Sequence, residues 1–415
     1  MNRIKQSLLL GLGAGSEYYD FAIFSLFVSD INKSFFSNNS TTMYTFMVFS
    51  LAYLARPFGG YIFGVIGDLY GRKKSFLLTM IILMLSTIGL AFLPSIYVLG
   101  AYSTFFFILF RIFQGIALGG EIPSSTIFIV ELSKNKNKVE RYIGILYSGI
   151  VAGIVSTFFV HYILSHSSIG DYFCIELWRI AFLIGFLLTM LAYFFRKKMG
   201  RSDSFYSSST VVQKSQLSKK HIYPSYDFYK RIVISIFVLS SISMITTQLV
   251  IFMPTYLINY LKIDNGQVSN YMLIMSVIML PSCLLGGFVC EKFNNIKLFL
   301  FFLCIIIFLL FLFYFFIITE EKIFFLLFFI FIFYSMLPAT YLVFITNFFL
   351  TDYKCRALGL SYNLSYSFFS APVPSLTVFF LDSYQNLMIP FYFILISFFI
   401  TLLGIFLFNS HRNYS

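Results

Sequence analysis

The sequence predicts an all-α integral membrane protein with twelve transmembrane helices, arranged as two six-helix bundles with both termini in the cytoplasm. Three observations support this prediction. Hydrophobic residues make up 59% of the 415 residues and charged residues only 11%, the apolar residues fall into twelve long runs, and the cations concentrate in alternate loops. This apolar content exceeds what the core of a soluble protein can bury.

Each predicted span supplies the ~20 apolar residues that a helix needs to cross the hydrocarbon. Arg3 and Lys5 before a leucine run are typical of a signal peptide, but the run continues past Glu17 and Asp20 without a small-residue cleavage site, which indicates an uncleaved first span. The predicted spans are 7–29, 42–66, 75–97, 101–130, 141–164, 178–196, 231–260, 268–290, 296–318, 322–348, 356–381 and 386–408.

The positions of Lys and Arg predict the orientation. Of 29 such residues, 23 fall at the termini or in even-numbered loops, three fall in odd-numbered loops and three fall inside spans. The positive-inside rule therefore places both termini in the cytoplasm. The formal charge of +12 follows from this topology, so the sequence predicts contact with the lipid bilayer and no nucleic-acid partner.

The longest hydrophilic stretch is rich in Ser, Lys and Tyr, as a linker is. Gly287 precedes Glu291 by four residues, as Gly64 precedes Asp68, and this degenerate repeat supports two similar halves. The predicted parts are an N-terminal six-helix bundle at 1–198, a cytoplasmic linker at 199–230 and a C-terminal six-helix bundle at 231–415.

Ionisable residues inside the spans are functional candidates, because each is costly at the bilayer centre. Glu17 and Asp20 are three residues apart and share a helical face. Two carboxylates so close in a low dielectric are not expected to be ionised together, which is what a proton carrier requires. The alternative is that one of them caps a helix or pairs with Arg56 or Arg111.

Arg56 offers a planar guanidinium fork that suits a carboxylate. It can hold an anionic substrate or neutralise Glu17 or Asp20, and the sequence leaves both open. In predicted span four, Gln114 and Glu121 are seven residues apart and share a face, whereas Arg111 and Glu121 are ten apart and cannot pair.

Six segments together resemble the metabolite:proton symporter family of the major facilitator superfamily, which includes carriers of 2-oxoglutarate, citrate, shikimate and proline/betaine. The resemblance implies a major facilitator fold in a bacterial inner membrane and monomeric, proton-coupled uptake of a small polar metabolite, either an organic acid or a zwitterionic osmolyte. The segments are SEYYDF (16–21), LARPFGG (54–60), GVIGDLYGRKK (64–74), RIFQGIALGGE (111–121), Trp178-Arg179 and RALGLSYN (356–363).

The resemblance also implies roles for individual residues. The loop acid Asp68 locks the two halves together, and the loop arginine Arg72 pairs with Glu131 at the end of span four. The predicted proton-coupling residues are Glu17, Asp20, Arg111 and Glu121; the predicted substrate contacts are Arg56, Gln114 and Tyr19; the predicted gating residues are Asp68, Gly71, Arg72, Glu131 and Arg356.

The C-terminal copy of the loop motif has Phe293-Asn294-Asn295 in place of Tyr70-Gly71-Arg72, which predicts a lopsided latch. No nucleotide-binding or hydrolase motif occurs, and the histidines and cysteines show no ligand spacing, so we expect no cofactor, metal or enzymatic activity. A sodium-coupled carrier, an uncoupled facilitator and a transporter-like sensor remain as alternatives.

Overall fold

The computed structural model describes residues 3–36, 42–133, 138–165, 176–198, 226–316, 320–349 and 353–414. Almost all of these residues are helical. The helices that precede the predicted linker are α1 (Arg3–Leu26), α2 (Val28–Phe35), α3 (Thr42–Tyr70), α4 (Arg72–Phe92), α5 (Ile96–Leu99), α6 (Ala101–Leu132), α7 (Val139–Ser165) and α8 (Leu177–Lys197).

The helices after the predicted linker include two that pass through a π-helical turn. The helix α9 (Tyr226–Thr246) continues through Thr247–Phe252 into α10 (Met253–Asn259), and α14 (Lys354–Ser365) continues through Tyr366–Ser370 towards α15 (Val373–Tyr384). The remaining helices are α11 (Asn265–Cys290), α12 (Asn295–Phe315), α13 (Glu320–Phe348) and α16 (Ile389–Tyr414).

Within the described ranges, ten helical segments are long and apolar enough to cross a membrane. They begin with α4 and include the continuous segments Tyr226–Asn259 and Lys354–Tyr384. The first two predicted spans coincide with α1 and α3, which are 24 and 29 residues long. The prediction of an all-helical, multi-pass membrane protein is confirmed, while the count of twelve spans stays a prediction.

One predicted boundary needs correction. The linker was expected to reach residue 230, but α9 already begins at Tyr226. Arg231 donates to Asp227 one turn earlier, at 2.7 Å, and this pair supports the first turn of the helix. Residues 199–225, which make up the rest of the predicted linker, lie outside the described residues.

Helices pack closely where glycines face a neighbouring backbone. A Cβ atom added at Gly115 would lie 2.1 Å from the Ala52 carbonyl oxygen, and one at Gly119 would lie 2.1 Å from the Arg56 carbonyl oxygen. These glycines let α6 approach α3, as small residues do in membrane helices. Through the same contact, the backbone of α3 that carries Arg56 is held against α6.

The Gly115→Ala variant should unfold at a lower temperature than the wild-type protein. The added methyl group meets a helix backbone, and such overpacking typically costs about 1–3 kcal/mol. Thermal unfolding in detergent, followed by circular dichroism, measures the effect. Gly67→Ala is the matched control, because its nearest neighbour is the Cys355 sulfur at 3.5 Å. Equal unfolding temperatures for both variants would contradict the packing argument.

The helices on either side of the predicted linker meet along two seams. The helix α3 packs against α14, and α7 packs against α11. Gly64 allows the first approach, since an added Cβ would lie 2.9 Å from the Arg356 Cα; Gly144 allows the second, with the Cys283 carbonyl oxygen at 2.6 Å. We call the helices α1–α8 the N-half and α9–α16 the C-half.

Candidate functional site

Two adjoining cavities lie between the N-half and the C-half. The larger has a volume of about 30 Å³ and the smaller about 10 Å³. Both are bordered by Tyr18, Thr246 and Tyr366, so we treat them as one site and call it the tyrosine cavity. Its tyrosines, drawn from α1, α3, α7, α13 and the π-helical turn after α14, are Tyr18, Tyr53, Tyr147, Tyr334, Tyr341 and Tyr366.

Arg56 brings a positive charge to the tyrosine cavity. Its side chain is 2% exposed, and its guanidinium carbon lies 5.1 Å from the centroid of the Tyr53 ring and 4.8 Å from that of Tyr366. The atoms Nε and Nη2 have no hydrogen-bond partner within the described structure. Arg56 also makes no ion pair there with Glu17 or Asp20, so the geometry favours the anion-binding alternative.

Two other predicted substrate contacts do not line the tyrosine cavity, and their role in binding stays a prediction. The Tyr19 hydroxyl donates to the Ala181 carbonyl oxygen at 2.9 Å, so this ring packs against α8. Gln114 is held between Arg111 and Thr87 inside the N-half. The neighbour Tyr18 lines the cavity instead, because adjacent helical residues point in directions about 100° apart.

Asp20 and Arg111 are joined by a buried chain of hydrogen bonds. The Thr87 hydroxyl donates to Asp20 Oδ2, Gln114 Nε2 donates to the Thr87 oxygen at 3.0 Å, and Arg111 Nη1 donates to Gln114 Oε1 at 2.9 Å. The guanidinium carbon of Arg111 lies 3.9 Å from the centroid of the Phe24 ring. We call the residues Asp20, Thr87, Gln114 and Arg111 the Asp20–Arg111 chain.

Glu121 forms a fully buried ion pair with Arg196. Thr79 and Ser125 also donate to the Glu121 carboxylate, at 3.2 and 3.3 Å. Arg196 is the last residue of predicted span six, and its side chain is 1% exposed, so it turns back into the helix bundle rather than towards water. Gly13 leaves the space for it: a Cβ there would lie 2.1 Å from Arg196 Nε. A buried acid such as Glu121 needs a cation as its partner. The predicted burial of Glu121 was therefore the signal from which a buried arginine such as Arg196 could have been inferred.

Glu17 is buried between these two groups. Its Oε1 has no hydrogen-bond partner in the described part of the chain. The four predicted proton-coupling residues thus lie in the interior of the N-half, next to the tyrosine cavity rather than in its lining.

The predicted gating residues meet where α3 ends and α14 begins. Asp68 pairs with Arg72 at 2.9 Å and with Arg356 Nε at 3.2 Å, and it accepts from the backbone amides of Cys355 and Arg356 at the start of α14. Arg72 also pairs with Glu131 at 2.8 Å. Gly71 makes the turn between α3 and α4 with φ +96°, a conformation that suits glycine. We call this cluster the first latch.

A second latch joins the halves at the corresponding place in the C-half. Arg141, at the start of α7, pairs with Glu291 at the end of α11 at 2.7 Å. Beside it, Asn295 Nδ2 donates to Glu140 Oε1 at 2.8 Å. Glu291 takes its arginine from the N-half rather than from its own degenerate loop, so the second latch has one ion pair where the first has three, and a lopsided gate stays a prediction.

The halves also touch on the other side of the tyrosine cavity. The Ser50 hydroxyl donates to the Ala371 carbonyl oxygen at 2.5 Å, and the Ser269 hydroxyl lies 3.5 Å from His161 Nδ1. Contacts between the halves therefore lie on both sides of the cavity. This arrangement closes a central site from either side of the membrane.

Two helical halves that enclose a central site at membrane depth define a secondary transporter scaffold. Residues 10–374 match the sequence profile of the Major Facilitator Superfamily. The chain belongs to this superfamily of transporters, and the predicted family resemblance is confirmed at that level.

Similar proteins agree with this assignment. The chain is 26% identical over 393 residues to a putative proline/betaine transporter of Staphylococcus haemolyticus, covering 92% of this chain and 83% of the relative. It is 29% identical over 200 residues to the alpha-ketoglutarate permease of Escherichia coli, covering 47% and 46%. The proton:xylose symporter XylE bound to 6-bromo-6-deoxy-D-glucose shares the fold, with a TM-score of 0.76, 17% identity and coverage of 96% and 94%.

Proposed function

We propose that the protein is a proton-coupled symporter that imports a small zwitterionic osmolyte such as proline or betaine by alternating access. It acts as a monomer with twelve spans in a bacterial inner membrane. The observation that carries this proposal is that Arg56 Nε and Nη2 have no hydrogen-bond partner among the described residues, in a cavity otherwise lined by tyrosine, threonine, serine, cysteine and apolar side chains. The name of the Staphylococcus haemolyticus relative agrees with this substrate class.

The composition of the cavity distinguishes a zwitterion from a dicarboxylic acid. Among the described lining residues, Arg56 is the one charged side chain, so a second carboxylate would meet tyrosine rings. The faces of such rings carry partial negative charge and attract cations, including quaternary ammonium groups. We therefore expect the substrate carboxylate to bind Arg56 and its ammonium group to face the tyrosines.

Proton coupling is supported by the buried carboxylates. Glu17, Asp20 and Glu121 are each 2% exposed or less, and ionisable groups at this depth are costly to retain without a role. A transporter-like sensor or an uncoupled facilitator has no need for such groups.

Accumulation of glycine betaine or L-proline in proteoliposomes should require an inward proton gradient. Collapsing the pH gradient and the membrane potential together should abolish accumulation while exchange of labelled for unlabelled substrate continues. Replacing sodium with N-methylglucamine is the control and should change nothing. Undiminished accumulation without the gradients would exclude proton coupling, and exchange of 2-oxoglutarate in preference to both zwitterions would exclude the proposed substrate class.

A further inference from the structure

The helix α14 and the π-helical turn that continues it donate two hydrogen bonds across the boundary between the halves. Asn363 Nδ2 donates to the Gly119 carbonyl oxygen in α6 at 2.7 Å, and the Ser367 hydroxyl donates to the Tyr53 carbonyl oxygen in α3 at 2.7 Å. The two donors are four residues apart, so they lie on nearly the same face of this helix. Asn363 is fully buried and Ser367 is 6% exposed, so both bonds lie away from water.

Both acceptors are carbonyl groups for which the usual donor of their own helix is missing. In an α-helix, the carbonyl oxygen of a residue accepts from the N–H group four residues later. The residue four positions after Tyr53 is Pro57, and the residue four positions after Gly119 is Pro123. Proline has no N–H group. The two donors from the C-half therefore replace the donors that the prolines remove.

Along α14, Asn363 lies between the first latch and the tyrosine cavity. It follows Arg356 of the first latch by seven residues and precedes Tyr366, which lines the cavity, by three. These separations correspond to a helix rise of about 10 and about 5 Å. On α3 its neighbour is Gly60, where an added Cβ would lie 2.5 Å from Asn363 Nδ2. Ser367 directly follows Tyr366, at the level of the cavity. The two bonds therefore close the path from the first latch to the cavity.

The same bonds lie on either side of the backbone that carries Arg56. Tyr53 precedes Arg56 by three residues. Gly119 packs against the Arg56 carbonyl oxygen, which would lie 2.1 Å from an added Cβ. The Arg56 guanidinium lies beside the ring of Tyr366, the residue before Ser367. If α14 moved away from α3 and α6, Arg56 would become accessible from the side of the first latch.

We propose that Asn363 and Ser367 form an inner gate, which closes the tyrosine cavity towards the first latch and opens once in each transport cycle. When α14 moves away, water that enters from the latch side takes the place of both donors. The two bonds therefore break only as the cavity fills with water from that side. A carbonyl group with a donor in its own helix would not respond in this way, because it has that donor in either state. The inference depends on the transporter fold and not on which solute is carried.

The prolines allow a double-mutant cycle as the first test. Asn363→Leu keeps a similar volume and removes the donor, so the closed state contains a buried carbonyl that has lost its partner. Maleimide labelling of Cys355, which is buried in the first latch, should then become roughly tenfold faster. The other four cysteines are replaced by serine. Pro123→Ala returns an N–H group to α6, so Asn363→Leu should have a much smaller effect in that background.

Ser361 offers a matched control on the same helix. It is fully buried, and its hydroxyl donates to the Ala357 carbonyl oxygen of α14 itself at 2.8 Å. Ser361→Ala should therefore leave the labelling rate of Cys355 unchanged. Ser367→Ala should raise this rate, and Ser367→Thr, which keeps the hydroxyl, should return it to the wild-type value. The Ser367 variants also keep the test decisive if Asn363→Leu does not fold.

Two results would overturn the inference. If Asn363→Leu changes the labelling rate equally with and without Pro123, then Asn363 does not replace a donor that the proline removes. If Ser367→Ala or a folded Asn363→Leu protein is labelled at the wild-type rate, the bonds hold the halves together in every state and do not form a gate. The labelling requires no substrate, so these results stand whether or not the protein exchanges glycine betaine, and only the exchange experiment tests the proposed substrate.

Discussion

Asp68→Asn is expected to cripple uptake and leave substrate binding nearly unchanged. The Asp68 carboxylate accepts from two arginines and from two backbone amides at the start of α14. Losing charge-assisted contacts of this kind costs about 1.5–3 kcal/mol. The equilibrium should therefore shift by roughly ten- to 150-fold towards the state that is open on the latch side.

The native Cys355 can report this opening. It is buried beside Asp68 in the first latch, so a membrane-permeant maleimide should label it slowly in the wild type and faster in Asp68→Asn. The other four cysteines are replaced by serine in both proteins. Glu291→Gln, in the second latch, is the comparison and should have a smaller effect, because Arg141 is partly exposed and surface pairs are weak.

Substrate affinity, measured by scintillation proximity, completes this experiment. Asp68 lies outside the tyrosine cavity, so affinity should change little in the variant. Loss of binding with unchanged labelling of Cys355 would show that the first latch is part of the substrate site rather than a gate.

The periodicity and charge of the sequence predicted the helical membrane fold, because long apolar runs have few other structures available in a bilayer. They also predicted that Glu17, Asp20, Arg56, Arg111 and Glu121 are buried, but not that Arg196 is. Proximity along one helix could be predicted as well: Glu17 and Asp20 share a face of α1. The motif resemblance indicated the residues of the first latch, which come from α3, α4, α6 and α14.

The sequence could not predict which buried charge pairs with which. Arg196 lies at the end of a predicted span, where the side chain can turn towards water or back into the bundle; the space beside Gly13 decides this, and it exists only in the packed structure. The choice between Tyr18 and Tyr19 depends on the rotation of α1 about its axis. That rotation is set by the contacts of α1 with α7 and α8, and these contacts cannot be inferred from the local sequence.

The second latch shows a similar limit. Its arginine, Arg141, comes from the other half of the chain, 150 residues before Glu291. In the first copy of the loop motif the arginine, Arg72, lies in the same loop as its acid. The C-terminal loop has Asn295 at the corresponding position, so the motif alone does not indicate the ion pair. The function of the motif is kept because its acid reaches a cation across the seam between α7 and α11.

Arg56→Lys should weaken binding of a carboxylate substrate although the charge is kept. The guanidinium presents a planar fork that can bind both carboxylate oxygens, whereas an ammonium is a point charge on a flexible stem. The variant also loses the stacking of the guanidinium beside the Tyr53 and Tyr366 rings. Loss of a charge-assisted contact of this kind is worth about 1.5–3 kcal/mol, so the Kd should rise by roughly ten- to 150-fold.

Isothermal titration calorimetry on the purified proteins, with glycine betaine and L-proline, measures this change. The matched control is Arg179→Lys, since Arg179 donates to the carbonyl oxygens of Ala91 and Leu93 at the end of α4 and does not line the tyrosine cavity. The Kd of the Arg179→Lys variant for both substrates should stay at the wild-type value. An unchanged Kd in an Arg56→Lys protein that unfolds at the wild-type temperature would show that Arg56 supports the structure and does not bind the substrate, because a bound carboxylate could not exchange a fork for a point charge without losing affinity.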